Sequence, residues 1–353
     1  MAQQPRNIEG EPLHRGLVGV VMDRTSITSI DGQKGILLHR GYNIHELAEH
    51  STFEETAYLL LYGGLPTQSE LDSFSSALKA NRKIPDEVVG IIHTLKNGHP
   101  MDVLRTAVSA LSTFDTHDRN DNSLEATLSR GISLISQMPT IVMSHYNIRQ
   151  GRQPVGLSET LDHAANFLYM MNGHLPSSDT ARLMDKDFIV HADHDVNASS
   201  FTARVVAGTN ANLYDAVTAA IAALDGPAHG GAAEDVMKMV NGIGEVENVA
   251  TYIRDLQSRR QPVTGFGHRV YKSPDPRARH LEEGVQKLSQ EAGNPKWYDI
   301  LKAVQEQMRP YARRGIHPNV DFFAGVAYRL MGFDSEMFVP IFAVGRIPGW
   351  TAQ

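Results

Sequence analysis

The sequence predicts a mainly α-helical protein with a short β-hairpin near its N-terminus. Apolar residues recur at helical spacing in segment after segment beyond about residue 50. Capping residues open these segments, and glycines and prolines close them. Alternating apolar and polar runs, the mark of half-buried strands, are scarce outside the first fifty residues.

The strand signal is "SITSIDGQKGILLHRG", where Asp31-Gly32 separates two apolar-rich runs. That dipeptide accommodates positive φ in a tight turn. The segment "TFEETAYLLLYGGLPT" sets Thr52 and Glu55 at capping-box spacing and stops at Gly63-Gly64 before Pro66. Thr67 and Glu70 repeat the box in "TQSELDSFSSALKANR". "SETLDHAANFLYMMNG" puts Leu161, Ala164, Ala165, Leu168 and Met171 on one face and ends near Gly173. "ANLYDAVTAAIAAL" is alanine-rich and closes at "DGP". Four more helices are expected over "EVENVATYIRDLQSR", "RARHLEEGVQKLSQEA", "PKWYDILKAVQEQMRP" and "DFFAGVAYRLMG". Breaks near Asp225-Gly226-Pro227 and near Pro318 bracket a central segment. A lobe that leaves and re-enters another lobe places a cleft at both crossings.

Composition narrows the function. The 353 residues suffice for more than one core-bearing unit, and 41% hydrophobic with 21% charged residues is a soluble globular mixture. A net charge of -7 argues against a general nucleic-acid binder. The absence of cysteine removes disulfides, thiolate metal sites and cysteine nucleophiles together. No apolar run approaches the roughly 18 residues of a membrane span. "MAQQPRNIEGEPLHRG" lacks an apolar core like that of a signal peptide, so a cytoplasmic protein is expected.

Four stretches could carry chemistry. In "HADHDVNASSFTARV", His191, His194 and Asp195 share a face if the segment is helical. A metal site, an anion pocket and an ordinary helix start all fit that spacing. In "LDGPAHGGAAEDVMKMV", a Gly-Pro turn delivers His229 to a helix N-terminus, whose positive end disfavours imidazolium. His229 is then a neutral hydrogen-bond donor, or incidental to a glycine-rich turn. In "TGFGHRVYKSPDPRAR", Gly265 and Gly267 permit close backbone approach to a ligand, while Lys272, Arg277 and Arg279 could hold phosphate or carboxylate. A solvated basic loop is the plainer alternative. In "GIHPNVDFFAG", Asp321 is an N-cap or, if buried among apolar residues, a base with a raised pKa.

Taken together, "GPAHGG", "GFGHRVYKSPDPR" and "NVDFFAG", with "HADHD" before and "VGRIPGW" after, resemble the citrate synthase family from about Gly19 onward. The resemblance implies a citrate-synthase-like, two-domain, multi-helical fold. Residues 1–226 and 323–353 would form the large domain and 227–322 the small one. It implies a homodimer, or a higher assembly of it, that condenses oxaloacetate with acetyl-CoA and hydrolyses the citryl thioester. By position, His229 is similar to the histidine on the thioester oxygen, Asp321 to the base, and His268 to the acid that protonates the oxaloacetate carbonyl. His191, His194, Arg277 and Arg346 match the dicarboxylate site. Val263, Thr264, Gly265, Phe266, Gly267, Lys272 and Asn319 fall where the family holds CoA. No metal, cofactor, nucleic acid or membrane enters that chemistry; acetyl-CoA is a substrate. 2-Methylcitrate synthases, which take propionyl-CoA, share these motifs. Family members continue past the "GRIPGW" region with an arginine for the neighbouring site; nothing after Trp350 matches it, so weaker catalysis is expected. The NADH-regulated type carries an N-terminal extension this sequence lacks, so NADH control is not expected. Rival classes are a silent scaffold, which loss of His229, His268 or Asp321 would have indicated, and a metal-dependent hydrolase built on His191, Asp193, His194 and Asp195.

Overall fold

The computed structural model describes residues 20–353. The sequence reading of the stretch before Val20 therefore lies outside the described residues. Among these are sixteen α-helices and one antiparallel sheet in the order β1-β2-β3. The strands are β1 (Thr28–Asp31), β2 (Ile36–His39) and β3 (Tyr42–Asn43), with Thr28 opposite His39.

The predicted hairpin is present, but its turn is not the two-residue one. Gly32 to Gly35 lie between the strands, and the positive φ falls on Gly35, not Gly32. The Asp31 carboxylate holds the turn by accepting from the backbone N–H of Gln33 at 3.1 Å and Lys34 at 3.0 Å. Gly32 is required for another reason: a Cβ there would collide with the Val270 carbonyl. The Gly32 carbonyl accepts from the Lys272 N–H at 2.8 Å and the Ser273 hydroxyl at 3.1 Å. The hairpin tip thus braces the histidine-bearing loop some 240 residues later.

Ten helices precede Asp225: α1 (Ile44–His50), α2 (Phe53–Tyr62), α3 (Gln68–Ala80), α4 (Asp86–Thr94), α5 (Pro100–Leu111), α6 (Leu124–Arg149), α7 (His163–Asn172), α8 (Ser178–His191), α9 (Ala198–Ala207) and α10 (Leu213–Leu224). Except for α4, each is capped by the side chain before it, because Asn, Thr, His, Ser or Asp supplies an acceptor for the unpaired N–H groups of the first turn. The boxes at Thr52 and Thr67 form as the sequence implies. In α7 the cap is Asp162, so Leu161 precedes the helix and drops out of its expected face, while Ala164, Ala165 and Leu168 are buried.

The remaining helices are α11 (Ala232–Ile243), α12 (Val249–Ser258), α13 (Ala278–Glu291), α14 (Lys296–Met308), α15 (Asp321–Leu330) and α16 (Phe338–Ala352), and none has a side-chain N-cap. They are held by packing instead. α11 and α13 both pack on α15, and α12 packs on α14. α16 lies against α6, α8, α10 and α2. Phe188, Phe323, Ile347 and Trp350 belong to one apolar core that joins the two sets. Each such buried side chain contributes roughly 1.5–3 kcal/mol. No helix among the described residues is long and apolar enough to cross a membrane.

Candidate active site

His229 sits in the turn between α10 and α11, its ring edge toward α9. Its Nε2 lies 3.3 Å from the Ser199 backbone N–H and 2.8 Å from the Ser199 hydroxyl. A backbone N–H only donates, so Nε2 carries the lone pair and Nδ1 carries the hydrogen. Burial, then the nearby Arg346 charge, lower its pKa to about 4. The lowering fits the neutral form expected from sequence, with desolvation and then Arg346 as its leading causes.

His268 lies in the irregular loop before α13. Its Nδ1 accepts from the backbone N–H of Val270 at 3.0 Å and of Tyr271 at 3.2 Å. The hydrogen is therefore on Nε2. Burial and Arg277 lower its pKa to about 4, with Asp275 opposing them. The ring stands 5.1 Å from that of His194 and 4.7 Å from that of Tyr271. Two neutral imidazoles thus present opposite nitrogens as donors.

Asp321 is the first residue of α15, with Val320 at the N-cap position, so it caps nothing. Its carboxylate accepts no hydrogen bond from the described residues. Burial raises its pKa; His191 and Arg277 pull it back, and Asp275 and Asp187 push it further up. A desolvated carboxylate without donors is a stronger base than an exposed one.

Arg277 and Arg346 are both buried. Asp275 grips Arg277 with two parallel bonds, Nε to Oδ1 at 2.9 Å and Nη2 to Oδ2 at 2.8 Å. Burial would lower the Arg277 pKa, but Asp275 more than offsets this. Asp275 also accepts from the Val320 N–H at 3.3 Å, so one carboxylate ties the starts of α13 and α15. Arg346 donates Nε to the His191 carbonyl at 2.5 Å and rests over the Phe342 ring, 4.7 Å from its centroid. Burial, only partly offset by Asp193, lowers its pKa to about 10. Phe342 also meets the rings of His191 at 4.7 Å and His229 at 6.3 Å, which joins the two halves of the site.

The shared helical face expected for His191, His194 and Asp195 does not exist. α8 ends at His191, the chain leaves helix, and Asp195 has φ of 52°. The cap of α9 is Asn197. His191 Nδ1 points to the Asp187 carbonyl at 2.9 Å, and Asp193 accepts from Thr28 at 2.5 Å and Gln353 at 3.0 Å. His194 Nε2 meets the Tyr271 hydroxyl at 3.1 Å. These donors diverge, and no cluster of three or more His, Asp or Glu side chains suited to a metal occurs among the described residues.

The glycine loop is clasped by the segment before α15. Gly267 N donates to the His317 carbonyl at 2.8 Å, Asn319 N to Gly265 O at 2.9 Å, and Asn319 Nδ2 to Gly267 O at 3.1 Å. Gly265 (φ 79°) is required by packing, since a Cβ would come within 2.7 Å of Phe322. Gly267 (φ 84°) faces open space. Val263 is buried, while Thr264 and Phe266 are half-buried, the latter meeting the Phe322 ring edge to face at 4.9 Å. Lys272 is exposed, with Nζ 3.3 Å from the His268 carbonyl. Arg279 turns away and pairs with Glu49 at 3.2 Å.

Sequence reasoning passed over Asp275, Ser199, Tyr271 and Phe342. Asp275 was within reach, since an aspartate two residues before an arginine, across a proline, sits where a local ion pair can form. The other three depend on contacts between distant segments.

The family described as citrate synthase, C-terminal domain, matches residues 16–353. The citrate synthase of Deinococcus radiodurans is 43% identical over 341 residues, covering 96% of this chain and 90% of that protein. The 2-methylcitrate synthase 1 of Corynebacterium glutamicum is 38% identical over 347 residues, covering 97% and 90%. The crystal structure of citrate synthase from Pyrobaculum aerophilum superposes with a TM-score of 0.92 at 40% identity, covering 99% of this chain and 89% of that one.

Proposed function

The chain belongs to the citrate synthase family, and we propose that the residues just described carry out that family's reaction. It is an acyltransferase that condenses acetyl-CoA with oxaloacetate to give citrate and CoA. Asp321 takes a proton from the thioester methyl. His229 donates its Nδ1–H to the thioester oxygen, where charge develops. The enol carbon attacks the oxaloacetate ketone, and His268 gives its Nε2–H to the oxygen that becomes the hydroxyl. Water then cleaves the citryl thioester, releasing CoA. His191, His194, Arg277 and Arg346 hold the dicarboxylate; Val263, Thr264, Gly265, Phe266, Gly267, Lys272 and Asn319 hold CoA.

The arrangement of the two histidines supports this assignment best. A thioester α-proton is too weakly acidic for an aspartate alone, so a fixed donor at the enol oxygen supplies the larger stabilisation. Neutral imidazoles with assigned hydrogens provide two such donors, flanked by buried guanidiniums suited to a dianion. Water must be excluded until the carbon–carbon bond exists. We assign that closure to residues 227–322 as a small domain moving against 1–226 and 323–353. The working form is a cytoplasmic homodimer, or a higher assembly of it, with no metal or cofactor.

The 38% identity to a 2-methylcitrate synthase supports propionyl-CoA as the second acyl donor to try. The test is oxaloacetate-dependent thiol release with acetyl-CoA against propionyl-CoA. Higher kcat/KM is expected with acetyl-CoA. A reversed preference would assign 2-methylcitrate synthesis, and no release with either would overturn the reading.

A further inference from the structure

We propose that Tyr271 is a positioning residue for oxaloacetate, acting through the tautomer of His194; the proposal rests on the functional reading above. Tyr271 is 1% exposed and packs against both His194 and His268, its ring 5.4 Å from that of His194 and 4.7 Å from that of His268. The Arg277 guanidinium sits 6.0 Å from its centroid. Its hydroxyl has one partner among the described residues, His194 Nε2 at 3.1 Å.

That single partner fixes the direction of the bond. A buried phenol hydrogen must find an acceptor, and the imidazole lone pair is the one within reach. Tyr271 therefore donates, Nε2 accepts, and the His194 hydrogen is on Nδ1. In the other tautomer the phenol hydrogen and the Nδ1 lone pair would both lack partners. Nδ1 makes no bond to the described residues, so its N–H is left for a ligand.

The tautomer matters because His194 cannot rely on charge. Burial, Arg277 and His268 hold its pKa well below the ordinary value, so it meets substrate as a neutral ring. A neutral ring offers a dianion either a donor or a repelling lone pair, and Tyr271 selects the donor. The phenol group is not expected to touch the acyl-CoA or take part in proton transfer.

The experiment compares Tyr271→Phe in the parent and in a His194→Gln background. Phenylalanine keeps the ring between His268 and Arg277 and removes only the hydroxyl. In the parent, KM for oxaloacetate should rise about tenfold, the size of one ordinary hydrogen bond, with kcat and the acetyl-CoA KM within about threefold. In the His194→Gln background the same change should add less than about twofold. An equal tenfold loss in both backgrounds, or a loss in kcat alone, would overturn the route through His194. Two-bond proton–nitrogen spectra of histidine-labelled, substrate-free protein give an answer independent of activity. The expected pattern for His194 is Nδ1–H in the parent, shifted in Tyr271→Phe; Nε2–H in the parent would overturn the proposal. If the parent showed no oxaloacetate-dependent turnover, the functional reading would fail while the spectrum still decided the tautomer.

Discussion

The His229 turn and the His268 loop solve the same problem by different means. Each holds a neutral imidazole with one defined tautomer, and each does so with backbone N–H donors. For His268 the donors are two and three residues ahead in its own loop. For His229 the donor is Ser199, thirty residues back at the start of α9, and the same residue's hydroxyl also accepts from Trp350 of α16 at 3.0 Å. His268, the proposed acid, is preset by local chain geometry, whereas His229, the proposed enol-stabilising donor, depends on how three helices dock. Damage to packing around α9 and α16 should therefore reach His229 before His268.

The largest test removes Asp321, the proposed base. Asp321→Asn should retain the fold and oxaloacetate binding yet lower kcat by roughly 10²- to 10⁴-fold, the usual worth of general base catalysis. Near-parental turnover in the folded variant would exclude Asp321 from that role. Next comes the cation that belongs to the His268 side. Arg277→Lys keeps the charge but loses the fork that matches Asp275, so oxaloacetate KM should rise about tenfold to hundredfold. An unchanged KM would show that charge alone suffices.

The comparison itself is sharpened by a pair of milder changes. Ser199→Ala keeps the backbone donor but removes the hydroxyl that also anchors Trp350, so exchange of acetyl-CoA methyl protons should slow about tenfold. Val270→Ala leaves its N–H on His268 and should change turnover by less than about twofold. Equal effects from the two would erase the distinction between remote and local control.

The smallest expected effect is a missing one. Both histidines have folded pKa values lowered to about 4, so they are neutral above that pH and impose no inflection near 6.5. Asp321 has its pKa raised, so its active, ionised form is lost as pH falls through a value above 3.8. Any acid limb of kcat/KM above about pH 4, where both histidines are neutral, should therefore vanish in Asp321→Asn. A limb near pH 6.5 that disappears in His229→Ala would show that His229 titrates normally in solution.

The sequence by itself determined what its neighbours in the chain could enforce. Capping residues at Thr52 and Thr67, glycine stops at Gly63 and Gly173, and the helical period over α10 to α15 all act within a few residues, and these elements formed where expected. The motif residues that carry the resemblance were legible for the same reason: their order in the chain is their signature. Tertiary structure decided the rest. Asp31-Gly32 reads as a tight turn, yet Gly32 is fixed by the carbonyl of Val270, and the positive φ moved to Gly35. His191, His194 and Asp195 have helical spacing, yet the helix ends at His191, and His194 instead meets Tyr271. The pKa values of His229 and Asp321 follow from burial and from charges on other helices. A hydrogen bond between positions thirty or seventy-seven residues apart leaves no local periodicity, so only the folded chain could show which nitrogen of His229 and of His194 carries its hydrogen.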